Sequence, residues 1–362
     1  MDFKRITDFM ESLKDIGVAG ADLGVYLKGR EVYRHQTGYA DTEAQAPITK
    51  NTLFAIWSMT KVVTCVAALR LLEEGRFLLT DSISDYMPEF REMMYRNDAD
   101  EIVPCKRSIR VVDLFTMSAG FSYEIEADLS GCTDLMKFAA AISKETLHFE
   151  PGTFWMYGYS HDILGALIER ITDKNVSEYF RNEIFTPLGM NDTFFHQYIS
   201  ADNAARLANV YKYNTETHIH TKGDHADWNF ENCGGGLVSG VDDYAKFANA
   251  LCNHGTTAGG YKLLSKATIE LMYTNHLCET RMINYSQLSP GYGYGLGVRT
   301  HVDKAMSGMN ANIGEYGWAG YLGTYFAIDP VAELTYVYAH QLLPSMEDHI
   351  APRLKNIIYA CM

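Results

Sequence analysis

The feature that most constrains this chain is an apolar stretch from Leu53 to Leu72 that holds Lys61 and Arg70 and is closed by Gly75. It is long enough for a membrane span, but two internal cations argue against one. The spacing predicts a buried helix over 54–74 with Gly75 as its stop. A helix that is apolar on most sides must be packed on most sides. That requires a large protein around it, and 362 residues, 47% hydrophobic and 21% charged, supply one. The length accommodates two domains or one elaborate domain.

Along the rest of the chain, Phe3, Ile6, Phe9, Met10 and Leu13 recur at helical spacing and predict an amphipathic outer helix. Residues 24–27 and 31–34 flank Lys28-Gly29-Arg30 and predict a β-hairpin. Between about 80 and 230 strand signals thin out, and amphipathic segments 134–143 and 162–171 are separated by breakers such as Pro151-Gly152 and Pro187-Leu188-Gly189. The triplet Gly234-Gly235-Gly236 lacks the Gly-Lys-Ser/Thr of a phosphate loop and reads as a turn needing positive φ. A helix is expected near Asp242, with Ser239 as its cap. Strand patterns return from 292, with runs at 317–328 and 333–340, and 346–360 closes as a helix. Strands at both ends and helices between them predict an α+β chain: 1–80 and 235–362 as a discontinuous sheet-plus-helix domain, and 81–234 as a mainly helical one.

Forty-five acidic residues against 31 basic ones give a charge of −14, which repels phosphate backbones and anionic lipid. Neither a nucleic acid nor a membrane is the expected partner. The opening MDFKRITDFMESLKDIG carries charge in every turn and has no apolar leader, so a cytoplasmic location is expected. Seven cysteines, without CxxC or CxxH pairing, predict reduced thiols rather than a disulfide framework or zinc ribbon.

Ser58-Met59-Thr60-Lys61 is the only place where a serine is followed three residues later by a lysine. On a helix this spacing brings both side chains to one face. A lysine near pKa 10.4 is no base at neutral pH, but burial lowers that value and suits Lys61 to activate a serine nucleophile. The plainer reading is a capping serine and a snorkelling lysine.

Phe54-Ala-Ile-Trp-Ser58-Met-Thr-Lys61, Asp113-Leu-Phe-Thr-Met-Ser118-Ala-Gly120, Pro151-Gly-Thr-Phe-Trp-Met-Tyr157-Gly-Tyr159, Gly234-Gly-Gly-Leu-Val-Ser239 and Gly317-Trp-Ala-Gly320-Tyr321 follow one another in the chain. In that order they resemble the blocks of the serine β-lactamase and D,D-peptidase superfamily, in its class C and carboxylesterase branch. The resemblance spans nearly the whole chain and implies a β-lactamase/transpeptidase-like fold. An antiparallel sheet flanked by helices would carry a helical insertion, with the active site at the interface of the two parts. By resemblance, Ser58 is the acylated nucleophile, Lys61 takes or relays its proton, and Tyr157 shares in proton transfer. The backbone N–H groups of Ser58 and Tyr321 would hold the oxyanion, and Gly320 would let the backbone approach.

Two positions depart from the superfamily pattern: Trp318 replaces a cationic or polar group at the third motif, and Tyr159 replaces an asparagine at the second. Both lose polar recognition and add aromatic surface. A carboxylesterase on small, neutral esters is the expectation, with β-lactamase, D,D-peptidase or D-aminopeptidase activity and acyl transfer as alternatives on the same acyl-enzyme. No cofactor is implied.

A metal-dependent hydrolase is the rival reading, carried by His218, His220, Asp224, His225 and Asp227, since alternate histidines on a strand face one way. Asp224 and His225 come two residues late for an HxHxDH pattern, which favours a polar loop. The acidic run 97–101 lacks calcium-ligand spacing and reads as a solvated loop. An inactive homologue that binds acyl ligands would have no need of Ser58, Lys61 and Tyr157 together.

Overall fold

Strand character at both ends of the chain resolves into one sheet. The computed structural model describes residues 2–226, 228–257 and 259–362. The sheet strands are β1 (Gly20–Leu27), β2 (Arg30–Asp41), β3 (Ala46–Pro47), β4 (Tyr292–Tyr294), β5 (Arg299–His301), β6 (Tyr316–Ala319), β7 (Tyr325–Asp329) and β8 (Leu334–Ala339). They lie side by side as β4-β5-β6-β7-β8-β1-β2-β3, antiparallel at every pairing. The expected hairpin is present, turned at Lys28 and Gly29, both with positive φ. The run 317–328 is two strands rather than one. A turn at 320–324 breaks it and faces the candidate site.

Alternation of side chains gives the sheet two apolar faces. Leu23 and Val25 on β1, Tyr325 and Ala327 on β7, and Tyr336 and Tyr338 on β8 bury one face against α1 (Lys4–Ser12) and the closing helix Glu347–Cys361. Phe326, Ile328, Val337 and Ala339 point the other way into the larger core. That core holds α2 (Thr60–Glu73), α3 (Leu135–Ile142), α4 (Ser160–Thr172) and α5 (Val241–Cys252). The end of α2 is a Schellman turn: Arg76 N–H bonds Leu71 O, Gly75 N–H bonds Leu72 O, and Gly75 sits at φ +68°.

Four local expectations are corrected. The helix predicted from Phe54 starts at Thr60, because Phe54-Ala55 pair as a short strand with Leu237–Ser239 and 57–59 form a 3₁₀ turn. Ser239 is not a cap; it belongs to that strand, its Oγ meets Thr193 Oγ1 at 2.8 Å, and Gly240 occupies the N-cap of α5. None of Gly234, Gly235 and Gly236 has positive φ. They are small because neighbours press on them: a Cβ at Gly234 would lie 2.5 Å from Asp162 Oδ2, and one at Gly236 2.8 Å from Asn232 O. The region 81–234 also carries short strand pairs, 94–96 with 102–104 and 210–214 with 219–223.

Candidate active site

Ser58 sits in the 3₁₀ turn that feeds α2, directly after Trp57, a non-glycine residue at φ +46°. Such a conformation persists only when its surroundings enforce it, and it clusters at functional turns. Here the enforcement comes from the turn at 320–324. Gly320 N–H bonds Thr324 O at 2.7 Å, and Thr324 Oγ1 donates to Ile56 O at 3.1 Å. A Cβ at Gly320 would stand 2.2 Å from Thr324 Oγ1 and 2.4 Å from Ile56 O, so only glycine lets the two turns meet. Neither the Ser58 nor the Tyr321 backbone N–H has an acceptor among the described residues.

One helical turn on, Lys61 is 1% exposed. Its Nζ donates to Ser58 Oγ at 3.3 Å and to Gly234 O at 2.5 Å, and lies 4.8 Å from the ring centre of Tyr157 and 5.7 Å from that of Tyr123. Burial pulls the Lys61 pKa down, as the sequence reading expects. The electrostatic pull of Tyr123, Tyr157 and Asp162 outweighs it and holds the ammonium above the ordinary lysine value. The expectation of a lysine neutralised by burial is therefore corrected: Lys61 rests as a cation among oxygen atoms.

Tyr157 is joined to Trp318, whose indole N–H donates to its hydroxyl oxygen at 3.0 Å. Trp318 thus places a neutral donor, and no charge, beside Tyr157. Tyr159 lies one position before α4 and packs edge-on against Tyr123 (4.8 Å) and Phe138 (5.2 Å). All seven residues expected at the site, Ser58, Lys61, Tyr157, Tyr159, Trp318, Gly320 and Tyr321, are linked through these contacts and those of Trp57.

Three further residues escape a reading of the sequence. Tyr123 holds its ring centre 5.7 Å from Lys61 Nζ and packs edge-on against Tyr157 at 5.7 Å, yet its only signal is its place three residues after Gly120. Asp162 is fully buried in α4; Oδ1 accepts Gly234 N–H at 2.9 Å, and Oδ2 has no partner among the described residues. Burial pushes its carboxyl up to about 6, with Lys61 pulling the other way. A lone acid within the apolar run 160–168 is the signal that could have marked it. His161, also fully buried, donates from Nε2 to Phe115 O at 3.1 Å; burial, then the Lys61 charge, lowers it to about 3 and keeps it neutral.

The histidine cluster does not converge. His218 lies in the turn before 219–223 at φ +57° and bonds Tyr213 Oη, while His220 bonds Gly17 O at 2.6 Å. His225 stacks on His196 at 5.7 Å, and Asp227 lies outside the described residues. No group of three metal-ligating side chains occurs among the described residues. No helix among them is long and apolar enough to cross a membrane.

The family model described as Beta-lactamase matches residues 4–359. An uncharacterized protein of Mycobacterium tuberculosis is 31% identical over 356 residues, covering 91% of this chain and 87% of that one. Esterase EstB of Burkholderia gladioli is 30% identical over 201 residues, 52% of this chain and 50% of EstB. Among solved structures, EstCE1, described as a hydrolase with promiscuous acyltransferase activity, superposes with a TM-score of 0.85 at 22% identity over 98% of both chains. The fold is that of β-lactamases and transpeptidases, the wider neighbourhood includes penicillin-binding protein homologues, and the chain belongs to the Beta-lactamase family as a serine hydrolase.

Proposed function

We propose that this hydrolase is a carboxylesterase that cleaves small neutral esters through an acyl-enzyme on Ser58. The observation that carries the reading is the placement of Ser58 Oγ 3.3 Å from a buried ammonium, in a turn joined to the one that bears Tyr321, with no acceptor among the described residues for the Ser58 and Tyr321 backbone N–H groups. In this reading the site lies where the sheet-plus-helix part, 1–80 and 235–362, meets the mainly helical part, 81–234.

Ser58 Oγ attacks the ester carbonyl carbon while its proton passes to the Lys61–Tyr157 pair, which acts one proton short of full protonation. Negative charge on the carbonyl oxygen is met by the N–H groups of Ser58 and Tyr321. The C–O bond then breaks, and the pair returns its proton to the departing alkoxide. Water attacks the acyl-enzyme under the same pair, giving the carboxylic acid and free Ser58. Another alcohol or an amine in place of water completes a transacylation, and the reported activity of EstCE1 supports that second reading. Trp318 leaves no cation at the third motif to anchor the carboxylate of a penicillin or cephalosporin, which disfavours β-lactam substrates.

Intact mass spectrometry after brief exposure to a p-nitrophenyl ester, a cephalosporin or a fluorophosphonate tests the reading, with Ser58→Ala as control. The expected result is an adduct on the native chain alone, faster from the ester than from the cephalosporin. No adduct from any probe, or the same adduct on Ser58→Ala, overturns it.

A further inference from the structure

A continuous aromatic surface leads away from the oxyanion side of Ser58. The Trp57 ring lies 5.2 Å from that of Tyr321 and 6.3 Å from that of Trp228, and Trp228 lies 6.4 Å from Phe230. The Trp57–Tyr321 and Trp57–Trp228 contacts are edge-on, and Trp57 and Trp228 are half-buried while Tyr321 is exposed, so all three rings keep surface that a ligand can meet. Tyr321 is 60% exposed although its own backbone N–H is one of the two idle amides at the site. No side chain in this group is charged. The segment that carries Trp228 follows the histidine-rich stretch, so the loop that resembles a metal site in sequence instead delivers an indole to the nucleophile's neighbour.

Resting on the acyl-enzyme reading, we propose that the substrate of this hydrolase carries a planar aromatic or conjugated group that seats on the Trp57–Trp228–Tyr321 shelf. Trp228 is the residue that confers this preference. An aliphatic group of equal size gains the same burial on the shelf but lacks the ring-to-ring interaction, which adds about 0.5–1.5 kcal/mol beyond burial, or about 2–10-fold in rate. Planarity, rather than apolarity alone, is what the shelf selects.

The test uses two pairs of fluorophosphonates, in which Ser58 Oγ forms a bond to phosphorus as fluoride leaves. Within each pair the probes differ only in phenyl against cyclohexyl. The ring sits on the phosphorus-bound carbon in one pair, mimicking the acyl side, and on the first carbon of the alkoxy group in the other, mimicking the alcohol side, so that reactivity at phosphorus is matched and fluoride alone leaves. The phenyl probe is expected to label about 2–10-fold faster in at least one pair. That ratio should drop to about one in Trp228→Leu and return in Trp228→Phe. Equal rates in both native pairs, or a ratio that persists in Trp228→Leu, overturn the preference while leaving the acyl-enzyme intact. Absence of labelling by all four probes overturns the acyl-enzyme reading, and this inference with it.

Discussion

The indole N–H of Trp318 donates a 3.0 Å hydrogen bond to the hydroxyl oxygen of Tyr157. The bond fixes the Tyr157 hydroxyl beside Lys61, so losing it should loosen a group assigned to proton transfer. Trp318→Phe keeps an aromatic ring and removes the donor. Ester kcat/KM should fall about 10-fold, as for loss of one hydrogen bond that positions a reacting group. An unchanged kcat/KM would show that this hydrogen bond does not serve the reaction.

Ser58→Ala should abolish turnover, and Tyr157→Phe should lower it by orders of magnitude, with the fold retained in both. Lys61 differs, because its removal strands Gly234 O and leaves Asp162 without its cation. Lys61→Met should lose activity and also about 1–3 kcal/mol of stability, the cost of leaving a buried acceptor unpaired. Urea titration beside steady-state kinetics separates the two effects; near-native turnover in any of the three variants would cancel that residue's assignment.

Gly320→Ala places a methyl group 2.4 Å from Ile56 O, so the turn bearing Tyr321 must withdraw from the turn bearing Ser58. Loss of one oxyanion donor is worth about 100–1000-fold in kcat. The variant should show that loss with little change in KM. A native kcat would mean that the Tyr321 amide does not meet the developing charge.

Asp162 supplies a prediction in pH. Its carboxyl titrates at about 6 in the folded chain, against an ordinary value of 3.8. Between these values the folded state holds a proton that the unfolded state has released. Its stabilising effect is full below 3.8 and is lost as pH rises through about 6. Asp162→Asn removes this dependence, so the native-minus-variant difference in unfolding free energy should fall with pH across 4–6, by at most about 1.4 kcal/mol per unit. Parallel stability curves would show that Asp162 stays ionised beside Lys61 throughout.

Ser58 and Lys61 were marked by their spacing, and Tyr157 and Trp318 by a resemblance to the superfamily's blocks. Hydrophobic periodicity placed the hairpin, α1, α4 and the closing helix. The failures share a physical cause. Where Phe54-Ala55 became strand and Ser239 lost its capping role, a partner distant in sequence overrode the local pattern. The glycine triplet was small because of what pressed on it, and the Lys61 charge was set by three groups contributed by other segments. Tyr123 carries no local signature beyond its place after Gly120, and Asp162 only that of a lone acid in an apolar run, since each bears on the site through its effect on Lys61.

The pins on the nucleophile span most of the chain. Thr324 reaches Ile56 across 268 positions, and Gly234 reaches Lys61 across 173. No fragment that lacks either end can hold Ser58 in its working geometry, so activity reports on completed folding rather than on any local element. During refolding, helical content should return before catalysis does, and a burst of turnover should mark the moment the last strands close.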